Sequence, residues 1–352
     1  MRARPAHAPN VGLLIIPALL ATMSLTAVSL ATVSLAAGCG STTPTGPARL
    51  APPLTARLYG ADGNMTNGFG DLFNDLPGAL TGMRGTTPIT RLPAEFTARL
   101  RAATPGLVDL HYTGEAYDAV AIAAIAAEYA RTTDPATVAR ALVGVTTGGT
   151  ACDTMAGCLT AARAGHAPRY RGLALRRSGL TDAGEPATAT YGVLSFTRDN
   201  RLDPTQIEYL DAGDERGQSS APAPAPGRPA KATGPLKIGG LLPHTGRLAA
   251  FGAPLATAIR LAVGDINAAG GVLGRDVVWI DGDDGTSAQQ AAATADRLLA
   301  AGVQVIVGAG ASGVTRAVLP KITAAGRILI SPTSTSDELT NADDLFFRTA
   351  PP

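Results

Sequence analysis

Three observations in the second half of the chain predict an α/β fold built on a parallel sheet. Short apolar runs alternate with helical stripes, turn residues separate the two, and the loops that follow the runs are mostly small, hydroxylated and uncharged. Such a βαβα order places helices over both faces of a sheet, the condition under which strands pair in parallel.

The elements follow in order. Runs at 236–242, 277–281, 303–308 and 327–331 read as strands. Between the first two, Ile259, Ala262, Val263 and Ile266 fall at helical spacing, and Gly270 with Gly271 ends the helix. Ala291, Ala295, Leu298 and Leu299 form the next stripe, and Val314, Ala317, Val318 and Ile322 the third. The result is a Rossmann-like parallel sheet with helices on both faces. Upstream, Tyr117, Val120, Ala121, Ala124 and Ile125 share one helical face, and Asp134-Pro135 supplies an N-cap and a first-turn proline for another helix.

Two low-complexity stretches divide the chain. Residues 40–53 (GSTTPTGPARLAPP) read as a tether, and 211–234 as a proline- and alanine-rich linker, leaving folded segments at 54–210 and 235–352. Residues 1–39 carry Arg2 and Arg4, a long apolar run at 11–37, and then Ala36-Ala37-Gly38-Cys39. This resembles a bacterial lipoprotein signal peptide, which implies that Cys39 carries lipid and holds the protein at the outer face of the cytoplasmic membrane. The run is also long enough to span a bilayer, so an uncleaved anchor is the other reading. Export suits the remaining cysteines, Cys152 and Cys158, which in an oxidising compartment read as a disulfide; zinc would need more ligands than His166 adds.

A net charge of +1 over 352 residues gives no basic field for nucleic acid. In parallel sheets ligands gather beyond the carboxyl ends of the strands. The loops there read Pro243-His244-Thr245-Gly246, Asp281-Gly282-Asp283-Asp284-Gly285, Gly308-Ala309-Gly310-Ala311-Ser312-Gly313 and Ser331-Pro332-Thr333-Ser334-Thr335-Ser336. The third matches G-x-G-x-x-G, but a dinucleotide site expects it after the first strand with an acid ending the next, and here the next strand ends in Ser331. A nucleotide-dependent oxidoreductase is therefore a distant reading. Ser312 and Gly313 open a helix whose free amides and dipole suit a carboxylate, with Thr335 and the backbone near Ser334 beside it; helix capping is the compatible alternative. Asp281, Asp283 and Asp284 lack calcium-loop spacing and read as a solvated loop, so no metal site is expected. No nucleophile stands with a base in a recognisable motif, and no catalytic residue or cofactor is expected.

IGGLLPHTGRLAAFG, AIRLAVGDINAAGGVLGRDV, VQVIVGAGASGVTRAVLP, ILISPTSTSDELT and FFRTAPP, in that order, resemble the opening half of the type I periplasmic binding proteins, in the branched-chain amino-acid (leucine-binding-like) branch. LYGADGN, GEAYDAVAIAAIA and RYRGLALRRSGLTDAGEPATATYGVLSF resemble that family's closing half, yet lie upstream. The resemblance implies segments in permuted order, forming one lobe plus a remnant of a second that is largely missing. It also implies ligand contacts at Ser312, Gly313, Ser334, Thr335 and Thr245, an aromatic wall at Phe251, and an ammonium partner at Asp62. For Phe251 the plain alternative is core packing, and for Asp62 turn formation. The implied function is a lipid-anchored solute-binding component of an ABC importer, taking a branched-chain or similar small zwitterionic amino acid or amide and meeting an ABC permease at the membrane, incomplete as it stands. A non-transport sensor or interaction lipoprotein using the lobe as a scaffold is the alternative.

Overall fold

The computed structural model describes residues 57–227 and 234–352. The expected signal peptide, Cys39 and the tether lie outside the described residues. In chain order the first segment contains β1 (Tyr59–Gly60), α1 (Asn67–Asp71), β2 (Arg84–Pro88), α2 (Ala94–Ala103), α3 (Thr113–Ala130), α4 (Pro135–Leu142), α5 (Gly144–Thr147), β3 (Thr150–Cys152), α6 (Met155–Arg163), β4 (Pro168–Tyr170), β5 (Thr188–Ser195) and β6 (Glu208–Gly213). The second contains β7 (Lys237–Leu241), α7 (Gly252–Ala268), β8 (Val278–Ile280), α8 (Ala288–Ala300), β9 (Val305–Gly308), α9 (Ser312–Ala324), β10 (Ile328–Ser331) and β11 (Phe346–Arg348).

The second segment forms a five-stranded sheet in the order β11-β10-β9-β7-β8, every pair parallel. Its strands alternate between two cores. Val305, Val307, Ile328 and Ile330 face one side with α7, while Ile306 and Leu329 face the other with Ala291, Ala295 and Leu298 of α8 and Val318 and Ile322 of α9. Period-two burial on both faces is what a sheet between helix layers requires. The first helix layer is completed by the upstream segment: α3 packs along α7, and Val120, Ala124 and Ile125 share a core with Ile238 and Val305. The two segments thus complete one layered body.

Helix α3 departs from the single apolar face read from sequence. Every residue except Tyr117 is buried, because α4, α6 and α7 surround it. Its alanine-rich composition permits that enclosure: small side chains let neighbouring helices approach on all sides, and a helix apolar all round belongs in an interior. The N-cap at Asp134 forms as expected, its carboxylate accepting from the Thr137 N–H at 2.9 Å with Pro135 in the first turn.

The other part of the first segment is a four-stranded sheet in the order β1-β2-β5-β6, parallel only between β1 and β2. Its own core is small: Met65, Leu80, Met83, Leu194 and Phe196. The boundary at 211 moves, since β6 continues through Asp211 to Gly213. The proline-rich stretch beyond it is partly docked, with the Ser219 N–H on the Leu180 carbonyl at 2.8 Å and Ala223 against Gly144, where a Cβ would meet it at 2.6 Å. A short disulfide loop joins Cys152 to Cys158, fastening β3 to α6.

Candidate functional site

All strands of the five-stranded sheet run the same way, so the loops after β7, β8, β9 and β10 meet at one edge. Hydrogen bonds then tie them into a single surface. Asp284, read from sequence as part of a solvated acidic loop, is instead fully buried. Its carboxylate accepts from the Gly310 N–H at 2.6 Å and the Thr286 N–H at 2.7 Å, holding the second loop to the third. Burial raises its pKa against the pull of those donors. Asp283 keeps a more open position and accepts from the Thr245 hydroxyl at 2.6 Å and backbone at 3.1 Å. The Thr245 hydroxyl proton is thereby committed within the fold. Asp281 pairs with His244 at 2.9 Å, a bond that holds the imidazole above its ordinary pKa.

The G-x-G part of the third loop has a packing role. Gly308 sits at φ +140°, and a Cβ there would lie 2.0 Å from the Leu241 carbonyl; one on Gly310 would lie 2.6 Å from the Pro243 ring. These glycines let β9 and its turn lie tight against β7 and its loop.

Ser312 and Thr335 come together. The Ser312 Oγ accepts from the Thr335 N–H at 3.1 Å and the Ser336 N–H at 3.3 Å, which joins the third loop to the fourth. Ser312 is the first residue of α9, not its cap; the cap position is Ala311 and makes no side-chain bond. The first amides used in that helix are those of Val314 and Thr315, both on the Ala311 carbonyl. Ser312 and Gly313 therefore present N–H groups without a backbone acceptor among the described residues, at the positive end of a helix of 13 residues. With two amides occupying its oxygen, the Ser312 hydroxyl still has its own proton to give. Gly313 is exposed, and Ser312 and Thr335 are half-buried.

Ser334 is placed differently. Its hydroxyl is fully buried between Thr315 at 2.9 Å and Ser331 at 2.8 Å, its N–H donates to the Ser331 Oγ, and its carbonyl accepts from Arg348 at 3.3 Å. It shapes the loop from beneath, with no free polar group to offer a ligand.

Phe251 and Asp62 form a second cluster, joined by a residue that sequence reasoning missed. Tyr112, in the left-handed region at φ +60° just before α3, donates its hydroxyl to the Asp62 carboxylate. Its ring centroid lies 6.0 Å from that of Phe251, and His111 stands 6.3 Å from Phe251 on the same side. Phe251 is buried in the main core, so the packing role read as its alternative is realised. Burial beside the Asp62 charge pushes the Tyr112 pKa well up, and the phenol keeps its proton. Among the described residues no hydrogen bond links this cluster to Ser312 or Thr335.

Arg348 is the second residue missed. Nearly fully buried at the end of β11, it donates to the carbonyls of Ser334 at 3.3 Å and Ser336 at 2.7 Å, to the Thr340 hydroxyl at 2.6 Å, and to Glu185 at 2.5 Å. It clamps the fourth loop from below and ties it to the upstream segment. An arginine inside the apolar run FFR was the available signal, since buried guanidinium needs dedicated partners. Among the described residues no group of three or more His, Cys, Asp or Glu side chains is placed to hold a metal ion.

Comparison with known proteins fits this architecture. Residues 235–351 match the family described as periplasmic binding protein. The Leu/Ile/Val-binding protein BraC3 of Rhizobium johnstonii is 33% identical over 105 residues, 30% of this chain and 29% of that protein. The leucine-specific-binding protein of Salmonella typhimurium is 36% identical over 81 residues, 23% and 22% of the two chains. Among solved structures, a branched-chain amino acid transporter substrate-binding protein from Streptococcus pneumoniae in complex with isoleucine is 37% identical, covers 33% of this chain and 34% of its own, and has a TM-score of 0.32. The chain thus matches under a third of the length of these curated relatives. The family is one of binding proteins and not of enzymes.

Proposed function

We propose that this chain is an extracytoplasmic solute-binding protein whose sheet-edge loops take the carboxylate of a small zwitterionic amino acid, of the branched-chain type, for delivery to an ABC permease. The observation that carries the reading is the junction at Ser312: one hydroxyl accepts two amides of the neighbouring loop while two unpaired helix amides and its own proton face the same edge. A buried or half-buried carboxylate needs such donors, and a helix N-terminus supplies them without a cationic side chain. Asp62 supplies the opposite charge for the ammonium, held in place by Tyr112. Phe251 supports that cluster from within the core. The names of the relatives, which bind leucine, isoleucine and valine, point to the side-chain class. Anchoring through lipid on Cys39, at the outer face of the cytoplasmic membrane, completes the proposal.

Calorimetric titration with leucine, isoleucine and valine tests it. Saturable binding is expected, weakened about tenfold or more in Ser312→Ala as a charge-assisted hydrogen bond is lost. Absence of binding of any of the three at millimolar concentration overturns the reading. Retention of full affinity in Ser312→Ala moves the site elsewhere. For localisation, Cys39→Ser is expected to release the protein from membranes; unchanged membrane association would leave the apolar run, not lipid, as the anchor.

A further inference from the structure

A cavity of about 690 Å³ opens between α2 with residues 107–111 on one side and the four-stranded sheet on the other. None of Ser312, Gly313, Thr335 or Phe251 lines it. Its size is that of a small-molecule site. The walls mix apolar and polar groups in near-equal measure, the apolar part formed by Leu92, Leu107 and Leu110 with Leu194, Ile207 and the Tyr209 ring.

The charges around it sort by whether they are already answered. Arg201 pairs with Asp71 at 2.6 Å. Asp109 accepts both the backbone and the side-chain N–H of Asn67, at 2.9 and 2.7 Å, and Asp203 accepts from Thr205. Arg101 lines the same cavity and has no carboxylate partner among the described residues. His111 also lines it; the side chain is 5% exposed, and neither ring nitrogen has a partner among the described residues. Burial lowers its pKa, so the ring is neutral and carries one unanswered donor and one unanswered acceptor. Buried polar groups are almost always paired, and an orphan of this kind in a cavity wall calls for a partner.

We propose that this cavity is a second binding site, for a small apolar monocarboxylate whose hydrocarbon body lies between the leucine wall and the small sheet and whose carboxylate meets Arg101. Of the two acids at the cavity, Asp109 has both carboxylate oxygens engaged by Asn67, and Asp203 has its Oδ1 engaged by Thr205. A neutral hydrocarbon would leave the guanidinium unanswered. The site stands independently of the amino-acid reading, since it shares none of the sheet-edge residues.

Octanoate is the probe, titrated into the full chain by calorimetry and by NMR of the histidine ring protons. Saturable binding is expected, with the His111 resonances shifting in step with occupancy and octanol binding at least about tenfold more weakly. Arg101→Gln is expected to weaken octanoate about tenfold or more; its side chain is exposed and makes no bond in the fold, so the variant keeps its melting temperature. Ser312→Ala leaves octanoate affinity unchanged. No saturable binding at millimolar octanoate overturns the proposal, as does equal affinity in Arg101→Gln. Competition by leucine overturns it too, because octanoate would then occupy the sheet-edge site.

Discussion

The two sheets of this molecule bury their strands in opposite ways. In the five-stranded parallel sheet β9, β10 and β11 are buried at every residue, between helix layers that come from both segments. In the four-stranded mixed sheet β6 is exposed at every residue and the core numbers five side chains. The first holds its loop ends through packed strands; the second depends on individual staples, such as Asn200, whose side chain accepts from the Leu80 N–H and donates to the Phe73 and Leu76 carbonyls. Apolar area fixes the former, and a few specific hydrogen bonds fix the latter.

The sharpest way to break that contrast is at Arg348, which joins the platform to the upstream segment through Glu185. Arg348→Met should cost about 3–5 kcal/mol, because it leaves a largely buried carboxylate and two loop carbonyls without their donor. Urea denaturation would read the loss, and adding Glu185→Gln should restore part of it. A cost below about 1 kcal/mol would mean that the loop after β10 is held by its serine network alone.

Next in size is a pH effect inside the shared helix α3. Burial pushes the Glu115 carboxyl up from 4.5 to about 7 and Asp118 up from 3.8 to about 6, although Thr90 donates to the first and Tyr170, Leu173 and Leu175 to the second. Between those limits the folded state holds protons that the unfolded chain has released. Stability is therefore fullest below about pH 4.5 for this group and falls as pH rises through about 7, by roughly 3 kcal/mol for Glu115. Glu115→Gln should flatten the profile over that window; a stability that climbs from pH 5 to 7 in the native protein and is unaltered in the variant would show the carboxyl to be ionised in the fold.

The disulfide comes third. Reduction, or Cys152→Ser with Cys158→Ser, frees a loop with a sequence separation of 6 and should cost about 2 kcal/mol by chain entropy. Melting with and without reductant checks it. A change under about 0.5 kcal/mol would mean that α6 is held by packing, with Leu159 and Ala162 already in the main core.

Legibility in the sequence followed the same division. The strands of the parallel sheet and the stripes of α7, α8 and α9 are short-period patterns, and each residue chosen for them lies within a residue or two of the observed element. The meeting of Ser312 with Thr335 was readable because parallel topology brings loop ends to one edge. Asp284 was misread because no local pattern separates a solvated carboxylate from one that anchors a glycine amide 26 residues away. Tyr112 and Arg348 were missed for a related reason: their roles are set by Asp62 and Glu185, partners 50 and 163 residues distant. Of the mixed sheet only the strands in LYGADGN and ATATYGVLSF were read, by resemblance; periodicity gave neither the rest nor the pairing, since strands with one open face and glycine or threonine interiors carry little apolar alternation.

The smallest effect is expected at Arg84–Glu208, which bridges β2 and β6 at 2.6 Å with side chains 47% and 65% exposed. Its distance resembles that of Arg348 and Glu185, yet water screens both groups and the chain entropy of two long side chains opposes the contact. Arg84→Ala should therefore change stability by no more than about 0.5 kcal/mol, and added salt should erase the difference. Measured beside Arg348→Met, it separates geometry from environment: similar ion-pair lengths, with costs that differ several-fold because only one pair lies where solvent cannot replace it. A loss at Arg84 approaching that at Arg348 would mean that the mixed sheet leans on its surface charges to offset its sparse core.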